Sequence, residues 1–209
     1  MKKNCTEVVF VLDRSGSMCG LEKDTIGGFN SLINKQKKQD GEVLVSTVLF
    51  NDSSVVIHDR KPIDEVRLMT NKDYEVYGCT ALLDALGSSI RHIGNIHKYA
   101  RVEDVPEHTM FVIITDGMEN ASRYYSKERV KSMIEYEKEK YGWEFLFLAA
   151  NMDAIDTASQ YGIDKDHAVN YQCDSVGTRL NYEVLDEAIQ CICSGVPLSK
   201  SWKSKIEKC

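Results

Sequence analysis

Asp13, Ser15 and Ser17 stand in the spacing Asp-x-Ser-x-Ser, as Asp13-Arg14-Ser15-Gly16-Ser17, directly after the apolar run VVFVL. That run of residues offers one carboxylate and two hydroxyls from a single tight turn, and Gly16 lets the backbone fold closely. Two more oxygen donors lie far along the chain: Thr80 in Gly78-Cys79-Thr80, and Asp116 at the end of TMFVIITD. Hard cations prefer oxygen ligands, and Mg²⁺ asks for near-octahedral geometry at about 2.0–2.1 Å while keeping some waters. The set therefore suits one divalent cation, Mg²⁺ first, with Mn²⁺ and Ca²⁺ as alternatives, and needs no soft Cys or His ligand. Three of the five donors are neutral hydroxyls, so only two protein charges oppose the ion. An ion held this way keeps an appetite for an outside carboxylate. Taken singly, each piece has an ordinary use: DRSGS as a turn and helix cap, Thr80 as an N-cap, Asp116-Gly117 as a turn. It is their combination that points to a metal.

The elements that must bring these residues together alternate in type. EVVFVLD at 7–13 is short and apolar on both faces, as a buried parallel strand is. A helix over 21–39 follows, with Gly41 as its stop. VLVSTVLF at 43–50 and SVVIHD at 54–59 read as a hairpin around Asn51-Asp52-Ser53. Helical spacing marks 81–99, and TMFVIITD at 109–116 is another buried strand. A helix capped by Ser126 ends before Gly142, and WEFLFLAAN at 143–151 forms a strand. A short helix, a weak strand at 167–172 and a closing helix over 175–193 complete the pattern. Alternating strands and helices predict a three-layer, doubly wound α/β fold, mostly parallel with one antiparallel edge strand and helices on both faces. Ligands of such sheets bind beyond the carboxyl ends of the strands, where the strand order reverses. If the 7–13 and 109–116 strands are neighbours there, Asp13 and Asp116 face one crevice, and the Thr80 loop closes it from a third side.

These residues resemble the von Willebrand factor type A (vWA) domain and its metal-ion-dependent adhesion site (MIDAS). VFVLDRSGSM, GCTALLDAL and ITDGMENAS match the family pattern in order, strand context and spacing, with no motif position missing. The resemblance spans residues 5–193 by element order and is to the compact, intracellular bacterial or phage type. It implies a central, mostly parallel sheet and metal-dependent protein binding rather than catalysis. It also implies hydroxyl ligands at Ser15, Ser17 and Thr80, and carboxylates at Asp13 and Asp116 that bind directly or through water. The partner would be a protein offering an Asp or Glu, with an adaptor role as the typical use.

Bulk properties agree. The 209 residues suit one domain, taken as 1–194, followed by a basic tail at 195–209 that reads as loose. The net charge of −6 argues against a general nucleic-acid binder. No segment reaches membrane-span length, and the N-terminal apolar run is too short for a signal peptide, so a cytoplasmic location is expected. Seven cysteines without a C-x-x-C argue against a disulfide framework or zinc site. Cys19 and Cys79 flank the converging loops, which places two thiols where oxidation would affect metal binding. Glu119 and Asn120 read as exposed loop residues rather than site residues, and Arg14 as either a steering or a surface charge. Two other functions compete. A haloacid-dehalogenase-type phosphohydrolase needs Asp-x-Asp, and Ser15 occupies the acid/base position. A homo-oligomer would fill each metal site with an acidic side chain of another copy.

Overall fold

The computed structural model describes residues 1–196, 198 and 200–206, with side chains at 200 and 201 excepted. The apolar runs become strands β1 (Lys2–Asp13), β2 (Glu42–Phe50), β3 (Ser54–Pro62), β4 (Pro106–Thr115), β5 (Glu144–Ala149) and β6 (Ala168–Asn170). Between them lie helices α1 (Glu22–Gln36), α2 (Leu82–Tyr99), α3 (Lys127–Tyr141), α4 (Ala154–Gln160) and α5 (Ser175–Cys193). The strands form one sheet in the order β3-β2-β1-β4-β5-β6. All pairings are parallel except β2 with β3, the edge hairpin. The chain order therefore reverses between β1 and β4, the position at which open α/β sheets bind ligands.

Alternation along β1 divides the core into two layers. Val8, Phe10 and Leu12 pack with Phe29 and Ile33 of α1 and Leu185 and Ile189 of α5. Val9 and Val11 point the other way, onto Leu86 and Ile90 of α2, Val130 and Ile134 of α3 and Ala154 of α4. Each large apolar side chain buried this way contributes roughly 1.5–3 kcal/mol. The helix ends follow local chemistry. The Ser126 side chain accepts from the Arg129 N–H, and Gly142, at φ 66°, takes the left-handed position after α3. Asp174 accepts from two N–H groups at the start of α5. Gly28 lets α1 approach Tyr182 of α5 closely, because a Cβ there would lie 2.2 Å from the ring.

Two features depart from the sequence reading. β1 begins at Lys2 rather than residue 7, its first residues exposed and hydrogen-bonded to the edge of β4. The tail expected to be loose is packed where it is described. Trp202 and Ile206 are buried, Trp202 Nε1 donates to the Asp166 carbonyl, and Lys203 Nζ donates to the carbonyls of Lys165 and Ala168. Two apolar anchors four residues apart, lost among lysines in the sequence, hold this segment against the β6 end of the sheet. Pro197 and Lys208 lie outside the described residues. Among the described residues no helix is long and apolar enough to cross a membrane.

Candidate metal centre

β1 and β4 run side by side with Leu12 opposite Ile114, so Asp13 and Asp116 emerge together at the carboxyl end of the sheet. Asp13 is 1% exposed and its carboxylate is already engaged. Oδ1 accepts from the Ser15 N–H at 2.7 Å, and Oδ2 accepts from the Thr115 hydroxyl at 2.6 Å. Its carbonyl accepts from the Tyr74 hydroxyl. Burial raises the pKa of Asp13; the Thr115 and Ser15 hydrogen bonds oppose that rise and the neighbouring Asp116 charge adds to it. A cation bound here removes the cost of that buried charge.

The hydroxyls close the set. Ser15 Oγ and Ser17 Oγ are 3.0 Å apart, and Ser17 Oγ donates to Asp116 Oδ1 at 2.5 Å. The loop carrying Thr80 is tied to the first loop by the Gly16 N–H, which donates to the Gly78 carbonyl at 3.0 Å. A methyl group built on Gly117 would lie 2.8 Å from Thr80 Oγ1, 3.1 Å from Ser17 Oγ and 3.7 Å from Ser15 Oγ. All three hydroxyls thus face one small volume that only a glycine leaves free, beside two carboxylates. Among the described residues no three His, Cys, Asp or Glu side chains gather, so the oxygen-rich hydroxyl set is the chemistry on offer, and it fits a hard divalent cation. Ser15, Thr80 and Asp116 are buried, whereas Ser17 is exposed, so the crevice opens to solvent on one side.

All five expected residues are brought together. Some residues with a part in the site, Thr115 and Tyr74 among them, were not singled out from the sequence, and others, Glu119 and Asn120, were read as exposed loop. Thr115 and Tyr74 hold Asp13. Asn120 Oδ1 accepts from the Thr80 N–H at 2.9 Å, and the Asn120 N–H returns to the Thr80 carbonyl. Glu119 accepts from the N–H groups of Leu83, Ala121 and Ser122, joining the Asp116 loop to the start of α2. Glu119 and Asn120 are therefore positioning residues, not idle loop residues. The Cys173 thiol donates to Asp116 Oδ2 at 3.4 Å. Arg14 neither projects to solvent nor lies on the surface: it is 7% exposed and its guanidinium lies 5.5 Å from the Tyr77 ring centre. Cys19 and Cys79 are exposed free thiols. The histidines serve elsewhere; His58 bonds to Thr47, and His97 meets the fully buried Glu7 that also holds Arg60.

The sequence matches no family model and no curated protein. The structure is similar to solved vWA domains. Against the vWF domain of the type V pili tip protein Mfa5 from Porphyromonas gingivalis the TM-score is 0.67 at 11% identity, covering 93% of this chain and 97% of that one. Against mussel byssus proximal thread matrix protein 1 with a zinc-occupied MIDAS motif it is 0.59 at 15% identity, covering 92% and 47%. Against the ArnB paralog VWA2 from Sulfolobus acidocaldarius it is 0.56 at 17% identity, covering 88% and 45%. The chain thus spans nearly all of the first but less than half the length of the other two. The protein has the vWA fold, with its six-stranded mixed sheet and helices on both faces.

Proposed function

We propose that this chain is a metal-dependent protein-binding module in which Asp13, Ser15, Ser17, Thr80 and Asp116 hold one divalent cation, Mg²⁺ by preference. The observation that carries this is the convergence of three hydroxyls on the open space above Gly117, next to two carboxylates, on the solvent side of the switch point. The bound ion would supply positive charge only partly offset by the protein. Asp13 and Asp116 neutralise that charge, the hydroxyls orient without adding negative charge, and the exposed side admits a partner's Asp or Glu carboxylate. Tyr77 and Met118, 52% and 71% exposed, flank the opening and offer apolar contact around it. Arg14, held against the Tyr77 ring, adds a fixed positive charge next to Asp13. The zinc-occupied MIDAS of the mussel protein supports a divalent ion in this fold.

Binding, rather than catalysis, is the role this arrangement favours. No second carboxylate follows Asp13 at the spacing that phosphoryl transfer by an aspartyl nucleophile uses, and the Ser15 hydroxyl there is engaged with Ser17. An adaptor role follows from the same reading. The test is affinity capture with wild type and Asp13→Ala, each with Mg²⁺ and with EDTA. Partners retained by wild type in Mg²⁺ and lost in the other three samples are expected. A partner set unchanged by both EDTA and Asp13→Ala would refute metal-dependent binding, and phosphatase turnover abolished in Asp13→Asn would restore the enzyme reading.

A further inference from the structure

On the face of the sheet that carries α2 and α3, the two helices leave a groove of 720 Å³ between them. Arg91, Lys98 and Arg129 line it, all three exposed, and none forms an ion pair among the described residues, whereas Arg60, Arg67 and Arg101 are each held by a carboxylate. Arg91 and Lys98 are two helical turns apart on one face of α2, about 10 Å along the axis. Tyr124, Tyr136 and Tyr141 stand along the same groove at 86%, 49% and 52% exposure. Lys140 Nζ lies 4.9 Å and 5.1 Å from the ring centres of Tyr136 and Tyr141, which puts a fourth positive charge at that end. Exposed tyrosines beside unpaired arginines are the side chains that dominate binding hot spots.

The groove does not stop at the helices. Gly94, Lys98, Glu137 and Tyr141 also line a second hollow of 550 Å³, walled by Trp143. A Cβ at Gly94 would meet Glu137 Oε1 at 3.3 Å and Trp143 at 4.0 Å, so the glycine marks a close approach of α2 to α3 and the two hollows meet only at a narrow neck. At the other end, Asp84 accepts from the N–H groups of Arg123, Tyr124 and Tyr125 at 2.8, 2.9 and 2.8 Å, fixing the lip that carries Tyr124.

We propose that the α2–α3 groove docks an acidic peptide segment bearing a tyrosine or tryptophan, a second contact surface independent of the metal centre. The carboxylates of the segment pair with Arg91, Lys98 and Arg129, and its ring packs against the exposed rings of Tyr124, Tyr136 and Tyr141. Single-stranded nucleic acid also uses rings and cations. Here the net charge of −6 disfavours a long phosphate backbone that extends beyond the groove, while a short acidic segment meets mainly the local positive field.

The test is to pan a random dodecapeptide display library on the full chain in EDTA, which removes the metal centre from the selection. Winners rich in Asp and Glu around a Tyr or Trp are expected. A synthetic winner should bind about tenfold more weakly to Arg91→Glu/Arg129→Glu, which reverses the charge, and to Tyr124→Ala/Tyr136→Ala, which removes two of the groove's rings. Circular dichroism and thermal melts establish that both variants fold. No acidic enrichment, an affinity within about threefold of wild type in either variant, or tighter binding of decauridylate than of the winners overturns the proposal. Because EDTA is present throughout, its failure leaves the metal-dependent reading untouched.

Discussion

Gly117→Ala separates a seated cation from a mere turn. The added methyl would stand 2.8 Å from Thr80 Oγ1 and 3.1 Å from Ser17 Oγ, both inside ordinary contact distance. Those hydroxyls must retreat by roughly half an ångström, a local overpacking of about 1–3 kcal/mol. Mg²⁺ tolerates little departure from ligand distances of about 2.0–2.1 Å, and loss of even an outer-shell partner typically costs 10–100-fold in metal affinity. Displacing two direct hydroxyls should therefore weaken Mg²⁺ binding by about 100-fold or more. Calorimetric titration reads this directly, and thermal melting reads it by linkage. At a Mg²⁺ concentration about 100 times the wild-type Kd, binding stabilises the fold by about 2.7 kcal/mol, a rise of about 5–11 °C for a chain of this size. A 100-fold weaker Gly117→Ala retains about 0.4 kcal/mol of that stabilisation, or about 1–2 °C. If the variant binds Mg²⁺ within about threefold of wild type, the ion does not sit among Ser15, Ser17 and Thr80, and the site assignment fails.

Asn120→Ala leaves the Thr80 N–H unpaired without touching any donor atom; Mg²⁺ affinity should fall about 10–100-fold by calorimetry, with circular dichroism showing the apo fold retained. The raised pKa of Asp13, caused first by burial, makes Mg²⁺ affinity increase with pH through that pKa, by up to about tenfold per unit below it, and level off above. The sign for the apo fold is opposite. The folded carboxyl holds its proton more tightly than the unfolded one, so its contribution to stability is full below the unfolded Asp pKa and is lost as pH rises through the folded value. Melts in EDTA and in Mg²⁺ between about pH 4 and pH 7 should diverge as pH rises, and parallel curves would count against Asp13 as a ligand. Trp202→Ala should cost about 3–5 kcal/mol in urea denaturation, because the ring is 4% exposed; a cost under about 1 kcal/mol would mean the segment contributes no packing.

The five donors, the alternation of strands and helices, and the helix caps at Ser126 and Gly142 were all legible in the residues, because each depends on local spacing. A carboxylate directly after a β-branched run reads as a strand end whatever surrounds it, and two hydroxyls in the same turn need no distant partner to be noticed. The sheet order needed one inference, that β1 and β4 are neighbours, and the topology bears it out. Asn120, Thr115 and Tyr74 were not legible, because an Asn in a polar loop or a Tyr before a glycine turn acquires its role only when another part of the chain arrives beside it. The same holds for Arg14, whose side chain folds over Tyr77, and for Trp202, which meets the sheet end through tertiary contact alone. At the candidate metal centre the division is plainest. The sequence by itself determined which oxygens are present and that only two of them carry charge. Tertiary structure alone decided that three hydroxyls look onto the space above Gly117, because their convergence depends on how β1, β4 and the Thr80 loop are held against one another.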